Sequence, residues 1–145
     1  MATGKGATFI NDYLKLLLNA TPIANIADNA AASPLTNLYL SLHTATLSAA
    51  SDQSTSEAAY TSYARVAVAR TTGGFTAAAA QSSALVAIAS FPAATGGSET
   101  ETYAVLGTAS SGAGKSLYFG SIAPTLAVAN GVTCQLTTAT TFSES

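Results

Sequence analysis

The stretch that decides the fold is Asn37-Leu38-Tyr39-Leu40-Ser41-Leu42-His43. Leucine falls on every second residue, with Tyr39, Ser41 and His43 between. A period of two places Leu38, Leu40 and Leu42 on one side of an extended chain, so the stretch predicts a β-strand with one apolar face. Upstream the spacing is helical. Phe9, Ile10, Tyr13, Leu14, Leu16, Leu17 and Leu18 recur among Asn11, Asp12, Lys15 and Asn19, which predicts one helix over about 8–19. Thr8 is the expected N-cap, Asp12 suits the first turn, and Pro22 is the expected stop. Ahead of the helix, MATGKGA reads as a flexible arm. Residues 21–34 read as a short second helix or an extended loop, with Ile23 and Ile26 as anchors.

Downstream, a polar run from Ser48 to Ser62 reads as a long surface loop. Short strands then follow quickly. They are expected over Tyr63–Ala69, Ser83–Phe91, Glu101–Gly107 and Lys115–Ile122, with a short edge piece at Phe75–Ala80. Leu126 and Val128 lead to Asn130-Gly131, a two-residue hairpin signal, and Val132, Cys134 and Leu136 alternate beyond it. Thr72-Gly73-Gly74 and Ser110–Gly114 read as turns. About eight short strands with turns every 8–15 residues predict an all-β, jelly-roll-like β-sandwich with an N-terminal helix. One domain is expected over 1–145, with the arm and helix in 1–34 and the sandwich in 35–145.

Composition excludes several functions. Of 145 residues 32 are Ala, only 8% are charged, and the net charge is −2. Five cations (Lys5, Lys15, Arg65, Arg70, Lys115) cannot build the basic face that a nucleic-acid partner needs. One Cys and one His exclude internal disulfides and a multi-histidine metal site within one subunit, so neither metal nor cofactor is expected. The uncharged stretches are broken by Gly, Pro, Ser and Thr and do not read as membrane spans. No export signal is read at the N-terminus, so a soluble, unexported chain is expected. A surface this neutral does little to oppose association.

Candidate chemistry is sparse. Ala109-Ser110-Ser111-Gly112-Ala113-Gly114-Lys115-Ser116 fits a relaxed phosphate-loop pattern, but a phosphate loop needs a helix after it, and Leu117–Ile122 reads as a strand. There is no Gly-x-Ser-x-Gly elbow. His43 sits opposite the Leu38/Leu40/Leu42 face, where it reads as bonded to a neighbour or set at an interface. Glu99 and Glu101 share a strand face and read as solvated. Cys134 reads as a buried thiol. Asn19-Ala20-Thr21 is a glycosylation sequon without a secretory context. No catalytic residue is assigned and no enzyme is expected. Arg65 and Arg70 stand out as scarce cations near one strand. Pairing with Glu57 or Asp52 of the same subunit and a role at an interface are both open readings. Phe9, Tyr13 and Leu17 form a helix face that could dock on a neighbouring subunit. The candidate interface residues are therefore Phe9, Tyr13, Leu17, Arg65 and Arg70.

Three stretches together carry a family likeness: Asn37 to Ala45 (NLYLSLHTA), Tyr60 to Val68 (YTSYARVAV) and Phe91 to Gly97 (FPAATGG). A leucine-alternating strand ends in His-Thr, a Ser/Thr-rich acidic loop follows, then a Tyr-x-x-Tyr-Ala-Arg strand and a Phe-Pro turn. Over roughly residues 35–137 this resembles small structural proteins of tailed-phage virions, some labelled tail-fibre proteins, others capsid cement (decoration) proteins. The resemblance implies a β-sandwich on the virion and, as the leading expectation, a cement protein on the capsid surface. Such a protein would bind the major capsid protein and other copies of itself, and stabilise the DNA-filled head. The alternative is a tail- or fibre-associated structural protein.

Overall fold

The computed structural model of the chain describes residues 7–23 and 34–145, apart from the side chains of Ala7 and Phe9. The expected arm and the segment around Ile26 lie outside the described residues. Among the described residues one helix, α1 (Ala7–Asn19), precedes eight strands: β1 (Asn37–His43), β2 (Val66–Ala69), β3 (Ser82–Ala84), β4 (Ala89–Ser90), β5 (Glu99–Gly107), β6 (Ser116–Val128), β7 (Gln135–Leu136) and β8 (Thr141–Ser143). Strand far outweighs the single helix, so the chain is all-β with an N-terminal helix, and its antiparallel sheets are consistent with a β-sandwich.

The chain divides into two compact units. The described residues of the first are 7–23, 34–36, Ala69–Ile88 and Thr137–Ser145. Its helix buries Ile10, Leu14 and Leu18, spaced by four, at 0–2% exposure. The antiparallel β3–β8 ladder, Ser83 opposite Phe142, lies in the same unit. Phe75 and Phe142 meet edge to face with ring centroids 5.6 Å apart. Each large side chain enclosed in this way contributes roughly 1.5–3 kcal/mol. We expect Leu14→Ala, which empties a fully buried position, to lower unfolding free energy by about 2–5 kcal/mol in urea titration. The same change at exposed Tyr13 should cost far less.

The helix ends differ from expectation. Ala7 is already helical, so Thr8 lies within the helix and is not its N-cap. Asp12 sits a turn later and approaches Lys15 at 4.0 Å. The stop comes before Pro22. Ala20 takes a left-handed φ of 52°, and the Thr21 N–H returns to the Lys15 carbonyl at 3.1 Å.

The second unit comprises Asn37–Val68 and Ala89–Leu136. Its main sheet has the order β2-β1-β5-β6, and a two-stranded ladder joins β4 to β7. In β1 the leucines are buried as expected, at 0–1% exposure, but Ser41 and His43 are also fully buried. Both faces of this strand's end are therefore covered, which alternation alone does not reveal. The β1–β5 register sets Leu40 opposite Leu106 and His43 opposite Tyr103.

Several strand expectations resolve differently. Phe75–Ala80 is not a strand; Phe75 only bridges Leu85. Ser83–Phe91 is two short strands in two sheets, β3 and β4, with Val86 and Ile88 exposed between them. Lys115–Ile122 and Leu126–Val128 merge into β6. A four-residue excursion over 122–125 interrupts its register with β5, because Glu101 pairs Leu126 while Tyr103 pairs Ser121. Asn130-Gly131 makes a turn, with the Val132 N–H on the Ala129 carbonyl at 2.9 Å. It is not a hairpin, since β7 pairs with β4 rather than β6.

Candidate functional site

The densest polar cluster of the second unit forms where the polar loop after β1 meets the β5–β6 connection. Arg65 lies at its centre with a side chain 1% exposed. Its Nε donates to Glu57 Oε1 at 2.6 Å, and Nη2 donates to Glu57 Oε2 at 2.7 Å. The same guanidinium donates to three backbone carbonyls: Ala109 at 2.8 Å, Gln53 at 3.0 Å and Gly112 at 2.7 Å. Only a planar fork with five N–H groups can serve acceptors spread this way. Tyr63 extends the network. Its hydroxyl donates to Glu57 Oε1 at 3.0 Å and accepts the Leu42 N–H at 3.0 Å. Burial, chiefly, pushes this phenol well above its ordinary range, so it stays protonated as a donor. The bonds that Arg65 donates to Glu57 raise the guanidinium above its ordinary value.

Gln53 completes the cluster from the polar loop, which reads in sequence as solvated. It is fully buried. Its Nε2 donates to the Tyr39 carbonyl at 3.2 Å, and its Oε1 accepts the Ala109 N–H at 3.0 Å. Gly107 and Gly114 make room for it, since a Cβ at either would collide with the Gln53 side chain. We expect Gly107→Ala to destabilise the protein by about 1–3 kcal/mol through overpacking, read as a lower thermal midpoint. At Gly120, where a Cβ would meet open space, the same change should be nearly neutral.

The phosphate-loop-like stretch is thus the turn that Arg65 and Gln53 hold. A strand follows it, as expected, and its Ala109 and Gly112 carbonyls face an arginine. Nearby, His43 Nδ1 donates to the Thr55 carbonyl at 2.8 Å, so Nε2 accepts from the Ser41 hydroxyl at 2.9 Å. Burial holds this ring below its ordinary pKa, outweighing the Thr55 bond and the Glu57 charge, and it is neutral at pH 7. A serine–histidine contact suggests a nucleophile and its base. Here both residues are fully enclosed, and the orienting partner is a carbonyl rather than a carboxylate.

Glu99 and Glu101 part company. Glu99 Oε1 accepts the Ala59 and Tyr60 N–H groups at 2.9 Å each, which pins the loop to β5. Glu101 is not solvated as expected; it is fully buried, no nitrogen or hydroxyl serves either oxygen, and the Glu99 carboxylate lies within hydrogen-bond reach of its proton. Burial, with the Glu99 charge beside it, pushes its pKa up to about 8, so it is protonated at neutral pH. Cys134 is a buried free thiol, raised by the same burial. Among the described residues no three His, Cys, Asp or Glu side chains gather closely enough to hold a metal ion, and no helix is long and apolar enough to cross a membrane.

The candidate interface residues separate. Arg65 is spent on Glu57 and on backbone within its own chain, so the same-subunit reading is the observed one. Arg70 is likewise an internal clamp. Its Nε, Nη1 and Nη2 donate to the Leu17, Leu35 and Leu16 carbonyls at 2.7, 2.8 and 2.8 Å. Two of these are carbonyls left open at the C-terminus of α1, where a cation is also favoured by the helix dipole. Of the helix face, Tyr13 is 36% exposed, Leu17 is half-buried, and the Phe9 side chain is outside the described residues. Leu35, Val86, Ile88, Phe119 and Val132 are also exposed apolar residues, none of which was singled out from sequence.

A family model described as podophage GP4 fiber I protein gp80 matches residues 15–141, from within α1 to the start of β8. No curated protein matches the chain. The family's fibre designation fits the tail- or fibre-associated alternative better than the capsid-cement expectation. The matched span covers the helix end clamped by Arg70, the Arg65 cluster and all but the end of the last strand. The chain belongs to the podophage GP4 fiber I protein gp80 family and is a structural protein of the phage virion.

Proposed function

We propose that the protein is a building part of the phage tail or fibre, acting by shape and contact without a catalytic step. The observation that carries this reading is the fibre-family match over residues 15–141. The geometry supports it. Arg65, Arg70, Gln53 and Glu99 all bind backbone, which stiffens loops, and the exposed apolar side chains offer surface for neighbours. Partners in this reading are other copies of the chain and adjoining virion proteins. Neither nucleic acid, membrane nor cofactor enters it, and contact with the major capsid protein belongs to the cement reading.

Copy number separates the two. Purified virions should be run on a gel and the band quantified against the major capsid protein. A fibre or tail part is expected at a small fraction of the capsid protein's abundance. Near-stoichiometric abundance would reverse the assignment in favour of capsid cement.

A further inference from the structure

The hairpin that leads into β3 turns on residues that resist the turn. Ala79 and Ser82 face each other as an isolated bridge and exchange both backbone hydrogen bonds at 3.0 Å, so the loop between them is Ala80-Gln81 alone. A two-residue loop of type I′ needs positive φ at both positions, which is why Asn-Gly is its usual sequence. Here φ is 48° at Ala80 and 62° at Gln81. Among the described residues this is the one place where two consecutive non-glycine residues are left-handed. Each sets its Cβ against the following carbonyl oxygen, a conformation that persists only where surrounding structure imposes it. Two segments remote in sequence impose it. Asn11 of α1, next to buried Ile10, extends its side chain to the turn, and its Oδ1 accepts the Gln81 N–H at 2.7 Å. That N–H lies outside the bonds that Ala79 and Ser82 exchange. From the other side the Gln81 carbonyl accepts the Glu144 N–H at 3.1 Å, and Ser143 Oγ donates to Ser82 Oγ at 3.3 Å. One strained residue therefore carries bonds both to the helix and to the tail that forms β8, all within the first unit.

We propose that α1 is a clasp on a spring-loaded hairpin: Asn11 holds the Ala80-Gln81 turn in its left-handed form, and the hairpin and the β8 tail open together when the helix leaves. The residues of the turn favour opening, and the Asn11 bond opposes it. Glu144 can hold the Gln81 carbonyl only while the turn is formed, so the tail depends on the turn and the turn depends on the helix. Docking of α1 is thereby the condition for closing the β3–β8 ladder, although the helix contributes no strand to it. The device is conformational and holds wherever in the particle the protein sits.

The test is hydrogen exchange of the full chain, followed by NMR at one pH and read at the amides of 82–85 and 141–144. Asn11→Ala removes the acceptor and keeps a residue that favours helix. Exchange at these amides should speed up roughly tenfold or more, while the β1 and β5 amides of the second unit keep their rates. Ala80→Asn combined with Gln81→Gly supplies residues that take the turn without strain. Placed in the Asn11→Ala background, that pair should slow the same amides again by roughly tenfold. Exchange in Asn11→Ala within about twofold of wild type, or a substituted turn that recovers nothing, would overturn the proposal. If Asn11→Ala proves unfolded by circular dichroism, the substituted turn in the otherwise unchanged chain decides. Slower exchange at 82–85 and 141–144 then supports the clasp, and equal or faster exchange overturns it.

Discussion

Arg65→Ala is expected to cost about 3–5 kcal/mol, a large share of the ~5–15 kcal/mol that stabilises a domain of this kind. The loss exceeds that of an exposed ion pair because nothing replaces what the guanidinium does. Its side chain is 1% exposed, and Glu57 beside it is 18% exposed. Removing the cation takes from Glu57 its charge partner and two hydrogen bonds, and leaves the Ala109, Gln53 and Gly112 carbonyls without their arginine donor. Arg65→Lys keeps the charge but offers a single ammonium in place of a fork, so it should recover only part of the loss. In the double variant with Glu57→Ala, the cost should be well below the sum of the two single changes. Urea unfolding reads all three. A loss under 1 kcal/mol for Arg65→Ala would mean that the loops hold their positions without it.

The second large effect is a pH dependence contributed by Glu101. Its folded pKa is about 8 against an ordinary 4.5, with burial as the first cause. A carboxyl raised in this way binds its proton more tightly in the fold than in the unfolded chain. Its contribution is therefore fully present below about pH 4.5, is lost as pH rises through the window to about 8, and is constant beyond. The slope is roughly 1.4 kcal/mol per pH unit. Glu101→Gln removes the titration and nothing else of comparable size. The stability of the variant relative to wild type should rise by roughly 3–4 kcal/mol between pH 5 and 8. Subtracting the two curves cancels groups with the opposite sign, such as Asp52, whose bonds from Ser54 hold it below its ordinary pKa. A flat difference curve would show that Glu101 is ionised, with water or a cation reaching it.

Much of the local structure was legible because it rests on spacing. Leu38, Leu40 and Leu42 mark β1, the apolar positions of 10–18 mark α1, and the apolar alternation after Lys115 marks a strand where a phosphate loop requires a helix. The glycine-rich turn, the buried thiol and the choice of Glu57 as an Arg65 partner were all within reach of the residues alone. What was not legible depends on which loops meet in space. Gln53 and Asp52 are neighbours in one polar run, yet Gln53 is buried against Tyr39 and Ala109 while Asp52 stays on the surface. Glu101 alternates with Glu99 as any surface pair would. Its burial is set by segments remote in sequence, and those bearing Tyr60 and Cys134 come close enough to feel its charge. Ser83 to Phe91 reads as one strand because its apolar residues are continuous, but Val86 and Ile88 lie exposed between two separate ladders. Arg70 was noticed for its charge, whereas its use is set by three carbonyls more than thirty residues away in sequence. The capsid-cement expectation came from short motifs shared among virion proteins, and those motifs encode strands and turns rather than a place on the particle.

The claim that this is a structural part of the phage tail or fibre is tested most directly by locating it on the intact virion. Gold-labelled antibodies against the exposed 110–113 turn, viewed by electron microscopy, should decorate the tail or its fibres and leave the head surface bare. Gold distributed over the head, with tail and fibres unlabelled, would contradict the account.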